Sequence, residues 1–268
     1  MDPRLRGDAD RLRSGRNIKA IDTMNRIKLG ILQVNHDKSV EIGDRFPDDE
    51  HRFRALFDAQ EQRFAYRVYM TIGGELPTDV HEQDCYLITG SPHSVLEDHD
   101  WLEPLFDFIR ACDAAEKPVL GACFGHQAIA KALGGTVERV DAGWNVGVDT
   151  TQFTAPKPWM LTIDNSDSVN LPLFCFHQDQ VTELPPGCEL LGSSARVPIA
   201  SFSKGKHFFT TQMHPEFSPD FVDALLEHYH DYIGTPVYDR ARASMSVAAR
   251  GDEFARWATS FFQQGVNR

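Results

Sequence analysis

Short apolar runs alternate along the chain with longer stretches of helical period. Residues 27–34 (IKLGILQV) are apolar and rich in β-branched side chains, and they predict a first strand. Residues 48–66 carry a helical period, with Phe53, Leu56, Phe57 and Phe64 near one face. Residues 64–72 (FAYRVYMTI) read as a second strand, and residues 85–89 (CYLIT) as a third that stops at Gly90-Ser91-Pro92, a turn signal. An amphipathic helix over 101–115, a strand from Val119 and Leu120, and a helix over 125–133 follow. This alternation predicts a parallel sheet with helices on both faces. Beyond Gly134 the texture changes. Strand-like pieces at 136–140, 146–153, 173–176, 189–193, 199–202 and 207–212 are punctuated by Pro and Gly, and predict an antiparallel extension of the sheet. From Pro219 onward the pattern is helical, ending in an amphipathic stretch over 252–262 (DEFARWATSFF). The expected fold is a three-layer, doubly wound α/β structure with a mostly parallel central sheet and an antiparallel extension.

Composition narrows this only a little. With 268 residues, 41% of them apolar, the chain can bury one large core, and residues 26–268 are expected to form a single domain. Residues 1–25 mix Arg with Asp and lack the apolar centre of a secretory signal, so they read as a disordered tail or an extension. A net charge of −12 argues against nucleic acid and anionic membrane surfaces as partners. No run of 18 apolar residues is present to span a bilayer. The five cysteines form no CxxC pair and no short metal-ligand spacing, a usage that suits a reducing, cytoplasmic setting. Cys85, Cys112, Cys175 and Cys188 read as small buried hydrophobes. Cys123 does not.

Cys123 stands in G-A-C-F-G, where an apolar run meets a helical pattern. The sequence fits a nucleophile elbow with cysteine in the serine position. A nucleophile on a sharp strand-to-helix turn needs small neighbours, which Gly121 and Gly125 supply. Its side chain then stands above the carboxyl ends of the strands, where open α/β sheets bind ligands. The helix N-terminus behind it favours the thiolate, and the Phe124 N–H is free to face an oxyanion. A thiolate also needs a base. Residues 207–212 (HFFTTQ) read as a strand that ends at Met213-His214-Pro215-Glu216. A histidine just past that strand projects from the same sheet edge as the elbow. Pro215 breaks the strand, and Glu216 can turn back to the far imidazole nitrogen, as the third member of a triad does.

G-A-C-F-G-H-Q followed by Q-M-H-P-E resembles the class I glutamine amidotransferase family, over roughly residues 27–217. Further matches are L-I-T-G-S-P (87–92), F-H-Q-D-Q-V-T-E-L-P-P-G (176–187) and P-I-A-S-F (198–202). The resemblance implies a flavodoxin-like sheet and hydrolysis of a γ-glutamyl amide through a cysteinyl thioester, with no metal and no organic cofactor. It implies Cys123 as nucleophile, His214 as base and Glu216 as its orienter. Gly90 and Phe124 become the oxyanion donors and Gln127 a substrate contact. His177 and Asp179 either touch the substrate's ammonium group or cap a loop. His126, in the first turn of the helix, reads as structural. His228 and His230, two apart, do not make a metal pair.

Family members commonly hand ammonia to a synthetase. About fifty residues follow Phe217, too few for a nucleotide-binding domain of ordinary size, and no G-x-x-x-x-G-K-[ST] loop occurs. G-W-N-V-G-V (143–148), Ala241, Ser244 and the 252–262 stretch are similar to the stand-alone group that includes plant γ-glutamyl peptidases. The expected partner is therefore a small γ-glutamyl molecule; a separate synthetase subunit, a homodimer and a non-catalytic regulator stay open. An α/β-hydrolase with a cysteine elbow is the rival enzyme class. There the acid precedes the histidine, whereas here it follows.

Overall fold

The computed structural model describes residues 26–160 and 168–267. The tail expected over residues 1–25 lies outside them. In chain order the elements are β1 (Ile27–Leu32), α1 (Asp49–Asp58), β2 (Phe64–Tyr69), β3 (Cys85–Ile88), α2 (Leu102–Ala114), β4 (Val119–Ala122), α3 (Phe124–Ala132), β5 (Thr136–Arg139), β6 (Asn145–Phe153), β7 (Val169–His177), β8 (Asp179–Glu183), β9 (Cys188–Ser193), β10 (Ser201–Lys204), β11 (Phe208–Thr211), α4 (Pro219–His228), α5 (His230–Ile233), α6 (Thr235–Ser244) and α7 (Gly251–Val266).

The large sheet runs β2-β1-β3-β4-β11-β10-β9-β6-β7. The first five of these are mutually parallel, and their order is that of a flavodoxin-like sheet. From β11 outward every pairing is antiparallel. Strand residues alternate between two cores, as the pleat requires. Leu29, Ile31, Cys85, Leu87, Leu120 and Phe209 face one core, shared with Phe53 and Phe57 of α1 and Phe254, Trp257 and Phe261 of α7. Leu32, Tyr86, Ile88, Val119 and Phe208 face the other, shared with Leu105 and Ile109 of α2 and Ile129 of α3. The helices thus form the two outer layers. A third cluster seats α4 to α6 against β6 and β7 through Val146, Phe174, Val222, Leu226 and Ala241.

Four elements differ from the sequence expectation. α1 stops at Asp58 rather than running on to residue 66, because Phe64 belongs to β2; its ring still packs on Phe57, with centroids 5.7 Å apart. Residues 136–140 do not extend the main sheet. They form β5, which pairs with β8 in a separate two-stranded sheet. β8 reads as polar in sequence and shows no apolar alternation. β7 is longer than residues 173–176 and runs through Pro172, which a strand tolerates at a sheet edge, the place β7 occupies. Among the described residues no helix is long and apolar enough to cross a membrane.

Candidate active site

Four of the five parallel strands, β1, β3, β4 and β11, send the loops after them to one cavity of about 330 Å³. Gly90 follows β3, Cys123 follows β4 and His214 follows β11; all three line it. Cys123 caps α3 with φ 48° and ψ −103°, a conformation that a non-glycine residue adopts only under strain. The strained turn is held on both sides. Cys123 N–H donates to Thr211 O at 2.8 Å, and Gly125 N–H to Thr89 O at 3.2 Å. A Cβ on Gly121 would meet Gly125 at 2.6 Å, and one on Gly125 would collide with the Ile88 carbonyl, so the two glycines let β4, α3 and β3 close up around the elbow. The Phe124 and Gly90 N–H groups donate to no other group among the described residues.

His214 is buried and lines the cavity together with Cys123, whose charge acts on the imidazole. Its Nδ1 lies 2.7 Å from Glu216 Oε1, and the Glu216 side chain is sealed from solvent. The ring stacks on Phe217, 3.9 Å between centroids at 13°. Its backbone N–H donates to Phe174 O at 2.8 Å. Burial alone would lower the pKa of His214. The negative charges of Cys123 and Glu216 outweigh it and push the value up to about 10, so the imidazolium is the favoured form. A Cβ on Gly90 would sit 2.7 Å from His214 Cε1, so only glycine lets the loop after β3 pass this close to the ring. The turn is braced from behind as well. Gly251, the first residue of α7, packs so tightly on the Pro215 carbonyl that a side chain there would strike it, and the neighbouring Arg250 N–H donates to Pro172 O at 2.8 Å.

The remaining expected residues are close by, with commitments that the sequence does not reveal. Gln127 is buried, and its Nε2 donates to Asp179 O at 2.8 Å and to Gln212 Oε1 at 3.2 Å, leaving only its carbonyl oxygen uncommitted. Asp179 is buried, and its carboxylate accepts from Ser94 Oγ and from Arg139, whose Nε is 2.9 Å away. It is thus already neutralised before any ammonium arrives. His177 lines the cavity with Nδ1 3.2 Å from Asp179 O, and burial pushes its pKa down to about 4. His126 points away from the cavity to Thr210 Oγ1 at 2.8 Å; burial pushes its pKa down to about 3, which keeps it neutral. His228 ends α4 and His230 begins α5, so the helix breaks between them. The sequence reading missed Gln212, whose Nε2 lies 3.7 Å from Cys123 Sγ. It also missed Arg139 and an aromatic wall of Trp144, Phe176, Tyr229 and Tyr232 around the outer cavity. The residues of G-W-N-V-G-V and the tail that carried the resemblance to a stand-alone group do meet. Val148 N–H donates to Ser244 Oγ at 2.8 Å, which docks α6 on β6.

A cysteine sulfur beside a buried histidine, a carboxylate behind the ring and two unused amides form a site for acyl transfer. The model of the class I glutamine amidotransferase family matches residues 66–227, and the chain belongs to that family. Gamma-glutamyl peptidase 3 of Arabidopsis thaliana is 30% identical over 194 residues, 70% of this chain and 78% of that one. A GMP synthase of Mannheimia succiniciproducens is 34% identical over 134 residues, 48% of this chain but only 24% of that protein. A glutamine amidotransferase structure from Thermotoga maritima superposes with a TM-score of 0.66 at 20% identity, over 91% of this chain and 99% of that one, which bears on the fold.

Proposed function

We propose that this protein cleaves γ-glutamyl amides by way of a thioester on Cys123, and that its leaving group is an amine larger than ammonia. The observation that carries the first half is the Cys123–His214–Glu216 arrangement, with the Phe124 and Gly90 amides turned free beside it. The Cys123 sulfur attacks the γ-carbonyl carbon, and the oxyanion rests on the two amides. The C–N bond then breaks, and the departing nitrogen takes the proton held on His214. Water attacks the thioester, His214 receives its proton, and the C–S bond breaks to release glutamate. Glu216 keeps the imidazole oriented and its charge balanced throughout. Gln212 holds the sulfur, while Gln127, His177 and the Arg139–Asp179 pair line the place for the glutamyl end.

The larger leaving group is supported by the cavity. It continues past Cys123 to the aromatic wall and to Arg52, well beyond what a departing ammonia fills. The kinship with a protein named a gamma-glutamyl peptidase points the same way. The likeness to about a quarter of a GMP synthase supports a second reading, in which the chain supplies ammonia to a separate synthetase. The deciding experiment measures glutamate release from glutamine and from γ-glutamyl-cysteinyl-glycine in parallel, with Cys123→Ala as control. We expect turnover of the tripeptide, little of glutamine, and a loss of at least about a thousandfold in the variant. Turnover of glutamine alone overturns the leaving-group assignment. Near-normal turnover by Cys123→Ala overturns the mechanism.

A further inference from the structure

The loop that carries Gly90 into α2 holds a second constellation, outside the acyl-transfer residues. His93, Glu97 and His99 each bring one donor atom to a common point, all within 4.8 Å of one another. His99 Nε2 is 2.9 Å from Glu97 Oε2, and His93 Nδ1 is 3.6 Å from that same oxygen. We propose that His93, Glu97 and His99 bind one divalent transition-metal ion of the zinc class at the mouth of the cavity.

The donor set is the first argument. Two imidazole nitrogens and one carboxylate oxygen are a set that zinc accepts, at about 2.0–2.2 Å each, which spaces the donors about 3.3–3.6 Å apart in a tetrahedron. The observed spacings straddle that range, so small side-chain rotations suffice. A structural hydrogen bond would need one histidine on the carboxylate; here two aim at the same oxygen from opposite ends of the loop. The second argument is that the loop holds the three side chains in place. Ser94 N–H donates to Glu97 Oε2 at 3.1 Å, and Leu102 N–H to His99 O at 3.0 Å. His99 stacks on Trp101 with centroids 5.6 Å apart at 14°. Asp98 and Asp100, both exposed, flank the site and draw a cation to it. Three protein ligands leave a tetrahedral ion one open position.

The site is placed to affect the neighbouring chemistry. His93 lines the cavity, Trp101 packs on Phe124 at 5.6 Å, and the loop begins at Gly90. An ion that ties His93 to His99 would therefore stiffen the segment between the two oxyanion amides.

The test uses full-length, metal-stripped protein carrying Cys123→Ala, so that the reactive thiol takes no part. Zinc is titrated in competition with a chromophoric chelator. One ion per chain is expected, with affinity falling at least tenfold in Glu97→Gln and in His99→Gln, whose side chains are partly exposed and can change without unfolding the chain. X-ray absorption at the zinc edge should show nitrogen and oxygen donors only. No binding, binding unchanged in both variants, or sulfur in the coordination shell would each overturn the site. These readouts do not depend on hydrolysis, so they stand or fall apart from the proposed function.

Discussion

At the scale of single residues, Cys123 has an unfavourable backbone that its chemistry needs. With φ at 48°, the residue sits where only glycine is unstrained. Cys123→Ala keeps that strain, whereas Cys123→Gly relieves it at some cost in chain entropy. We expect the glycine variant to be the more stable of the two by about 1 kcal/mol, although both are inactive; thermal unfolding of the pair decides this, and equal melting temperatures would contradict a strained elbow. His214 makes a pH-dependent prediction. Its folded pKa, about 10, lies above the ordinary histidine value. Its contribution to stability is therefore complete below the ordinary value and fades as pH rises toward about 10. Removing the charge behind it lowers that upper limit. Glu216→Gln should shift the alkaline limb of kcat/KM to lower pH and cost less rate than losing the cysteine, as a pH-rate profile will reveal. The triad was readable because each part is local: a cysteine between glycines, and a His-Pro-Glu turn after an apolar run. Gln212, two residues from His214, was missed because its contacts to Gln127 and Cys123 bridge separations of 85 and 89 residues, which no local pattern encodes.

At the scale of elements, the parallel strands were legible because both of their faces are buried, so β3 and β4 read as unbroken apolar runs and β1 as one broken only by the exposed Lys28. β8 was not, since D-Q-V-T-E offers one apolar side chain and buries two of its polar ones. Asp179 and Gln180 are buried for reasons of partnership rather than hydropathy. The overlong reading of α1 came from Phe64, which fits a helical period and a strand equally well. The close junction of β3, β4 and α3 carries its own prediction. In Gly125→Ala the added methyl meets the Ile88 carbonyl, which is strand backbone and cannot swing aside. We expect a loss of about 1–3 kcal/mol in urea unfolding, with activity falling further than stability because Cys123 must shift with the helix. A variant as stable and as active as the parent would mean that α3 can retreat from β3 without cost.

Across the whole molecule, the site gathers groups from distant parts of the chain at one edge of one sheet. The nucleophile and the base come from adjacent parallel strands, β4 and β11, which lie side by side only because the chain first builds the whole antiparallel half between them. The topology of that half was readable only as a texture of short strands. Its pairing depends on which apolar edges find each other in space, and so do the cavity's outer wall and the helices α4 to α6 that carry it. The packing of Gly251 on Pro215 adds a sense of time to this arrangement. Synthesis proceeds from the N-terminus, so the thiol at 123 emerges well before the histidine at 214, and α7 emerges after both. Until α7 docks, the turn that presents the imidazole lacks its backing. A partly made chain thus carries the cysteine before the histidine, and it is the last helix to emerge that completes the support of the turn.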